Sequence, residues 1–364
     1  MSGPKVRVLV VDDSALMRKL IPHILARDPQ IEVVGTAMDG SFGLKKIEEL
    51  KPDVITLDLD MPRMDGMETL RQITRSCRLP VVVVSAHTVN GASATFKALS
   101  LGAFDFVPKP SETSRAGMES IAEQLVAKVK VAAQSGAATA PMVLPEKLRG
   151  KKSKQPSQQP PTKIVAIGIS TGGPNALQYV LSQLPGDFAG TILVVQHMPE
   201  GFTEMFAQRL NECCAIDVKE AHSGDVLLAG RALICPGNRH LRVRRMPLGD
   251  VAVLGDDEKV NGHRPSVDVL FQSVAQEFGS KAMGLLMTGM GEDGAEGLGS
   301  VKAAGGLTVA QDEYSCVVFG MPKAGIERGH AMRVVSLDSL ANLLIRHCAS
   351  PAPRRPSKTA AVEA

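Results

Sequence analysis

The sequence predicts two α/β domains, each built on a doubly wound parallel sheet. Short apolar runs alternate with segments of helical period in two separate blocks, and a polar, proline-rich stretch parts them. A chain of 364 residues is also long for a single hydrophobic core.

The first block, residues 1–128, offers five strands: "VRVLVVDD" (6–13), "IEVVGTA" (31–37), "DVITLDLD" (53–60), "LPVVVVSAH" (79–87) and "AFDFVPKP" (103–110). Each is nearly continuous in apolar residues, as strands covered on both faces are. Between them, "SALMRKLIPHILAR" and "GMETLRQITRS" space apolar residues three and four apart, which makes one helix face. Residues 129–162 are expected to be a flexible linker, rich in Ala, Ser, Gln, Pro and Lys and without amphipathic period. The second block, 163–348, repeats the grammar with "KIVAIGIS", "GTILVVQHM", "GRALICPG" and "KAMGLLMTGM" as buried strands. Helical segments there include "GPNALQYVLSQL" and "PSVDVLFQSVAQEF", and "RHLRVRRMPLGDVAVLGDD" reads as an antiparallel excursion. The tail, 349–364, has the composition of a disordered segment.

Composition excludes several classes. Charges nearly cancel at +3, and with no Trp and two Tyr the chain lacks the basic coat and stacking platforms of nucleic-acid binders. Six cysteines lie scattered without a CxxC pair, which reads as reduced thiols in a cytosolic protein. The N-terminal apolar run breaks into Asp12 and Asp13 without a cleavage site, and no run is long enough to span a bilayer. A soluble, cytoplasmic monomer without membrane insertion is the expectation.

Functional groups collect where loops leave the carboxyl ends of strands. In the first block Asp12 and Asp13 end one such strand, Asp58 another, Ser85 a third, and Lys109 follows a fourth between two prolines. Three carboxylates held together repel one another unless a cation joins them, and an all-oxygen set suits Mg2+. A lysine and a hydroxyl at the same rim complete a site for a phosphoryl group on one carboxylate. Separately, each acid would be an ordinary solvated loop residue.

The segments "VLVVDDSALMR", "VITLDLDMPRMDGMETL", "VVVVSA" and "GAFDFVPKP" resemble the receiver domain of two-component response regulators, over roughly residues 5 to 125. The resemblance implies a flavodoxin-like fold with Asp58 as phospho-acceptor and Asp12, Asp13 and Asp58 around Mg2+. It also implies that Ser85 follows the phosphoryl group and Lys109 neutralises it. The Lys109–Pro110 bond is a candidate cis peptide.

In the second block, "IVAIGISTGGPNAL" runs a strand into a serine and two glycines. The run matches G-x-S-x-G, a weak pattern, since glycine-rich turns after strands also bind phosphates and dinucleotides. The dinucleotide fingerprint fails, no acid ends the next strand, and a Walker lysine is missing. The next strand ends instead in His197, and "AMGLLMTGMGEDG" ends with Asp293 in a glycine-rich turn. Serine, histidine and aspartate at one sheet edge are what a nucleophile, a general base and its orienting acid require. Gly172 and Gly173 let main-chain N–H groups approach an oxyanion, and the helix starting near Pro174 directs its positive end there. The chain order Ser, His, Asp departs from that of α/β-hydrolases. His240 and His263 are rival bases. Asp225, Asp257 and Asp268 read as surface or helix-capping acids, and the Met290 side chain as turn and core.

Together with "QHMP", "PGNRHLRV", "HRPSVDVLF", "TGMGEDGAEG" and "VFGMPKAG", the serine loop resembles the chemotaxis protein-glutamate methylesterase family, the CheB type, over about residues 163 to 346. The resemblance implies a Rossmann-like methylesterase domain that hydrolyses γ-glutamyl methyl esters on chemoreceptors, releasing methanol, and often deamidates receptor glutamines. It assigns Ser170 as nucleophile, His197 as base and Asp293 as orienting acid, with Thr171, Gly172 and the Met290 main chain around the oxyanion. A chemotaxis histidine kinase would be the phosphodonor, and the unphosphorylated receiver would cover the cleft. The opposing class is a regulator whose second domain only binds a partner. The strand-end triad, and the lack of a helix-turn-helix or strongly basic output domain, argue against it. An esterase acting on a non-receptor protein is the other alternative.

Overall fold

The structure, a computed structural model, describes residues 4–86, 88–109, 115–135 and 159–349. The first domain runs β1 (Val6–Val11), α1 (Met17–Leu25), β2 (Ile31–Ala37), α2 (Gly40–Leu50), β3 (Val54–Leu57), α3 (Gly66–Ser76), β4 (Val81–Ser85), α4 (Val89–Ser100), β5 (Asp105–Pro108) and α5 (Arg115–Ser135). Its five parallel strands lie in the order β2-β1-β3-β4-β5, the flavodoxin-like arrangement. The order reverses between β1 and β3, so Asp12 and Asp58 emerge side by side at the crevice this opens. Helix starts are capped as their sequences suggest: the carboxylates of Asp39 and Asp65 accept from the N–H groups of Phe42 and Glu68, and the Thr88 hydroxyl accepts from Gly91 N–H.

The domain boundary differs from the sequence reading. Helix α5 continues to Ser135, and Val129 and Ala132 are buried in the first domain's core, so 129–135 belong to the domain and not to a linker. An alanine-rich helix end and an alanine-rich tether look alike in composition, and only burial separates them. The linker residues 136–158, the tail 350–364 and Pro110, hence the Lys109–Pro110 bond, lie outside the described residues.

The second domain comprises β6 (Ile164–Ile169), α6 (Gly173–Leu181), β7 (Thr191–Gln196), α7 (Phe202–Cys213), β8 (Asp217–Glu220), β9 (Arg231–Ile234), β10 (His240–Arg244), β11 (Val251–Gly255), α8 (Val267–Phe278), β12 (Ala282–Leu286), α9 (Ala295–Ala303), β13 (Leu307–Gln311), α10 (Met321–Glu327), β14 (Arg333–Val335) and α11 (Leu337–Cys348). Seven parallel strands lie in the order β14-β13-β12-β6-β7-β9-β8, and β10 and β11 form the expected antiparallel hairpin. Strands β8, β13 and β14 add to the four that the sequence suggested. β8 ("DVKE") and β14 ("RVV") are edge strands too short for an apolar pattern to register.

β6 is buried along its whole length. Its Val165, Ile167 and Ile169 share a core with α6, α7 and α11, while Ile164 and Ala166 share one with α8, α9 and the hairpin. Gly168 sits where a Cβ would collide with Val267 at the start of α8, so its bare backbone admits that helix close to the sheet. None of the six cysteines forms a disulfide. No helix among the described residues is long and apolar enough to cross a membrane.

The domains touch through aromatic rings. Phe96 of α4 stacks on Phe206 of α7 (centroids 5.3 Å), and Phe106 of β5 stacks on Phe202 of α7 (4.9 Å). Phe96 and Phe106 meet edge to face at 6.2 Å, closing the cluster, and the Asn175 side-chain amide donates to the Leu99 carbonyl at 3.2 Å. All four rings are buried. Pairs of this geometry contribute about 0.5–1.5 kcal/mol each beyond area burial.

Candidate active site

Ser170, His197 and Asp293 follow β6, β7 and β12, three neighbouring strands, with β6 paired to β7 on one side and β12 on the other. The sheet order turns at β6, so this edge is the topological switch point where ligands gather. The three residues weighed as a triad therefore come together. Ser170 is pinned by its main chain: its N–H donates to the Thr288 carbonyl at 3.0 Å, and its carbonyl accepts from Gly173 N–H at 2.8 Å. Its hydroxyl makes no hydrogen bond among the described residues.

His197 Nε2 lies 2.8 Å from Asp293 Oδ2. An ionised carboxylate only accepts, so Nε2 carries the proton and Nδ1 is left with a lone pair. Nδ1 is buried and has no hydrogen-bond partner among the described residues. No hydrogen bond joins Nδ1 to the Ser170 hydroxyl. Asp293 is 2% exposed and also accepts from Val267 N–H (2.7 Å), Ser266 Oγ (2.7 Å), Asn261 Nδ2 (3.1 Å) and Asp268 N–H (3.3 Å). Burial alone would raise its pKa. The donations from His197, Val267 and Ser266 outweigh burial and hold the carboxyl well below the usual range.

The turn after the serine suits a developing oxyanion. Gly172 has φ +73°, and a Cβ there would meet Val317 at 2.6 Å, so both backbone and space select glycine. Helix α6 starts at Gly173 and points its N-terminus at the turn. The N–H groups of Thr171, Gly172 and Met290 donate to no acceptor among the described residues. Thr171 is buried, its carbonyl held by Thr288 Oγ1 at 3.0 Å. The Met290 side chain is 37% exposed, so it is not the core residue the sequence suggested. Glycine neighbours on both sides leave nothing to cover it.

The rival residues sort differently. His240 is a core residue: its Nε2 bonds the Glu258 carbonyl (2.9 Å) and its Nδ1 accepts from Ser266 N–H (3.2 Å). His263 belongs to the site, stacked on His197 with ring centroids 4.0 Å apart and planes within 5°. Asp257 pairs with Arg242, and Asp225 with Lys219. Asp268 is a helix-capping acid, at the first turn of α9, and not a surface one. It is buried and accepts from Gly297 N–H and Asn261 Nδ2, both at 2.6 Å. Sequence reasoning missed Asn261 as part of the site, and it weighed His263 as a base and took Ser266 within a pocket-lining run without giving it a role. The "HRPSVD" run, pocket-lining by the family resemblance, holds His263 and Ser266, and the sequence does not show which way each faces.

Burial, with the neighbouring His197 adding to it, pushes His263 down from its ordinary 6.5 to about 4. A histidine that stays neutral in the fold while the unfolded chain protonates gives stability that is complete above pH 6.5 and is lost as pH falls to about 4. His263→Phe keeps a ring on His197 without the titration. Its unfolding free energy should therefore change less between pH 7 and pH 5 than that of the natural chain. Equal losses in urea titrations at the two pH values would refute this.

At the first sheet's edge, Asp12 and Asp58 are buried and Asp13 is exposed. Lys109 Nζ lies 2.7 Å from Asp58 Oδ2 and 3.3 Å from Asp12 Oδ2. Burial pushes Asp58 up to about 6 against the pull of Lys109, and burial raises Asp12 also. Oxygens of Asp12, Asp13 and Asp58 come within 4.8 Å of one another, and the buried Asp12 Oδ2 faces the Lys109 ammonium. An oxygen-only trio that includes two buried carboxylates fits a hard divalent cation such as Mg2+. The Ser85 hydroxyl donates to the Gly91 carbonyl at 3.1 Å, turned toward α4 rather than Asp58.

The two sites define a class: a phospho-accepting receiver joined to a hydrolase domain of serine type. Family models agree. The response regulator receiver domain matches residues 8–122, and CheB methylesterase matches 165–344. A protein-glutamate methylesterase/protein-glutamine glutaminase 2 of Koribacter versatilis is 66% identical over 93% of this chain and 95% of its own length. A protein-glutamate methylesterase/protein-glutamine glutaminase of Pyrococcus horikoshii is 43% identical over 94% of each chain. The crystal structure of the Thermotoga maritima CheB methylesterase catalytic domain is 41% identical, with TM-score 0.50, over 50% of this chain and 97% of that one. The chain belongs to the CheB methylesterase family, with an N-terminal response regulator receiver.

Proposed function

We propose that the chain is a phosphorylation-activated protein-glutamate methylesterase. It removes methyl esters from γ-glutamyl side chains of chemoreceptors and, by the same acyl chemistry, deamidates receptor glutamines. The observation that carries this is the His197–Asp293 pair beside Ser170 at three adjoining strand ends. Ser170 Oγ attacks the ester carbonyl carbon as its proton passes to His197 Nδ1, and Asp293 stabilises the imidazolium. The N–H groups of Thr171, Gly172 and Met290, with the α6 N-terminus, receive the oxyanion. Collapse expels methanol, which takes the proton from His197, and water then hydrolyses the γ-glutamyl-serine ester by the same steps in reverse roles.

Asp58 is the residue we assign as phospho-acceptor, with Lys109 neutralising the added charge and Ser85 turning toward it. Asp12, Asp13 and Asp58 would hold Mg2+, which offsets the negative charge of the acceptor and the incoming phosphoryl group. A chemotaxis histidine kinase is the phosphodonor in this reading, and the cytoplasm is the compartment where receptor, kinase and enzyme meet.

The docked arrangement supports inhibition by the receiver. Val317, which packs over Gly172 of the serine turn, also packs against the receiver's apolar cluster. β4, α4 and β5 thus run from the phospho-acceptor rim to the aromatic contact with α7. Methanol release from a methyl-labelled receptor tests the reading, because a domain that only binds a partner releases none.

A further inference from the structure

Gln196 ends β7 directly before His197, and it is 3% exposed. Its Nε2 donates to the Ser170 carbonyl at 3.0 Å and to the His197 carbonyl at 3.2 Å. One amide therefore holds the main chain of both residues. The two carbonyls fix its orientation, since the flipped amide would bring three oxygens together. Oε1 lies against Gly173, where any Cβ would collide with it, and it is buried without a hydrogen-bond partner among the described residues.

A buried orphan acceptor is costly, and an apolar side chain of similar size would remove it. What an apolar residue could not supply is the double donation. We propose that Gln196 is a positioning residue of the esterase reaction, tying the turn of Ser170 to that of His197 so that the hydroxyl can close onto Nδ1. This rests on the reading of Ser170 as nucleophile and His197 as base. The serine–histidine bond is not formed in the docked structure, and Gln196 holds the main chain on both sides of it. The pair Gly173–Gln196 also accounts for the second glycine of "STGG": the amide occupies the space a side chain would need.

The test uses the full chain, activated by a small phosphodonor with Mg2+, as Gln196→Met (similar volume, no donor) and Gln196→Glu (same shape, two oxygens). Two rates are measured: methanol release from methylated receptor, and labelling of Ser170 by a small fluorophosphonate, which needs serine and base but no receptor. For Gln196→Met, kcat and the labelling rate should both fall about tenfold with KM unchanged, because displacement of reacting groups slows the step without weakening substrate binding. Gln196→Glu should fall further. A purely structural role would lower the melting temperature and leave both rates of the folded protein at the natural level, which overturns the proposal. If Gln196→Glu does not fold, Gln196→Met decides alone. A natural chain whose Ser170 is not labelled removes the nucleophile assignment, and this proposal with it.

Discussion

Ser170→Ala is expected to lower methanol release by about 10⁴-fold or more with the fold intact, since removing the nucleophile of a serine triad costs nearly all of its acceleration. The structure explains why the two effects separate. The main-chain bonds that set the turn, from Ser170 N–H to Thr288 and from Gly173 N–H and Gln196 Nε2 to Ser170, do not involve the hydroxyl. The hydroxyl itself makes no hydrogen bond among the described residues, so its removal orphans nothing. An unfolding free energy within about 0.5 kcal/mol of that of the natural chain is expected, as for other changes that break no contact. Release from Ser170→Ala at even a tenth of the natural rate would remove Ser170 from the chemistry.

Phe96→Ala should raise basal activity in the absence of any phosphodonor. Phe96 is a receiver residue that stacks on Phe206 and braces Phe106, whose own partner is Phe202. Truncation removes one stack, leaves Phe106 without its edge contact and opens a cavity at the domain contact. Phe→Ala in a core costs about 3–5 kcal/mol, shared here between receiver stability and docking. Couplings between sites of about 1–3 kcal/mol correspond to about 5–150-fold in population, so a basal rate on the order of tenfold higher is expected. Methanol release without phosphodonor measures it, and the receiver's own unfolding transition checks that the domain survives. A basal rate unchanged in a folded variant would mean that the aromatic contact does not restrain the enzyme.

Most of the architecture was legible because its central strands, such as "VRVLVV" and "IVAIGI", are buried on both faces and read as unbroken apolar runs. Of the missed strands, β8 and β14 sit at the sheet edge, where burial no longer writes itself into composition, whereas β13 ("LTVAQ") is interior and buried but mixes polar residues into its run. The same limit moved the domain boundary from residue 128 to Ser135, since alanines in a helix and in a tether differ only in what they pack against. Of the site, Ser170, His197 and Asp293 were legible as strand-end residues, and pairing in the order β12-β6-β7 brings them together. Two kinds of information were not legible. Whether His263 or His197 takes the carboxylate depends on which way a loop folds, and the structure stacks one on the other while giving the hydrogen bond to His197. Asp268 reads as an N-terminal helix acid, yet tight packing of α8 on α9 buries it as an acceptor for Gly297 N–H. The phenylalanine cluster was invisible for a similar reason: on each domain alone Phe96 and Phe206 are ordinary helix residues, and their partner is in the other half of the chain.

The central claim is that phosphorylation at one sheet edge releases chemistry at the other. Methanol release from methylated receptor, measured with and without a small phosphodonor and Mg2+, tests it in one comparison between the natural chain and Asp58→Asn. The natural chain should be stimulated and Asp58→Asn should not respond to the donor. Equal stimulation of both would contradict the account, because the activating group would then act somewhere other than Asp58.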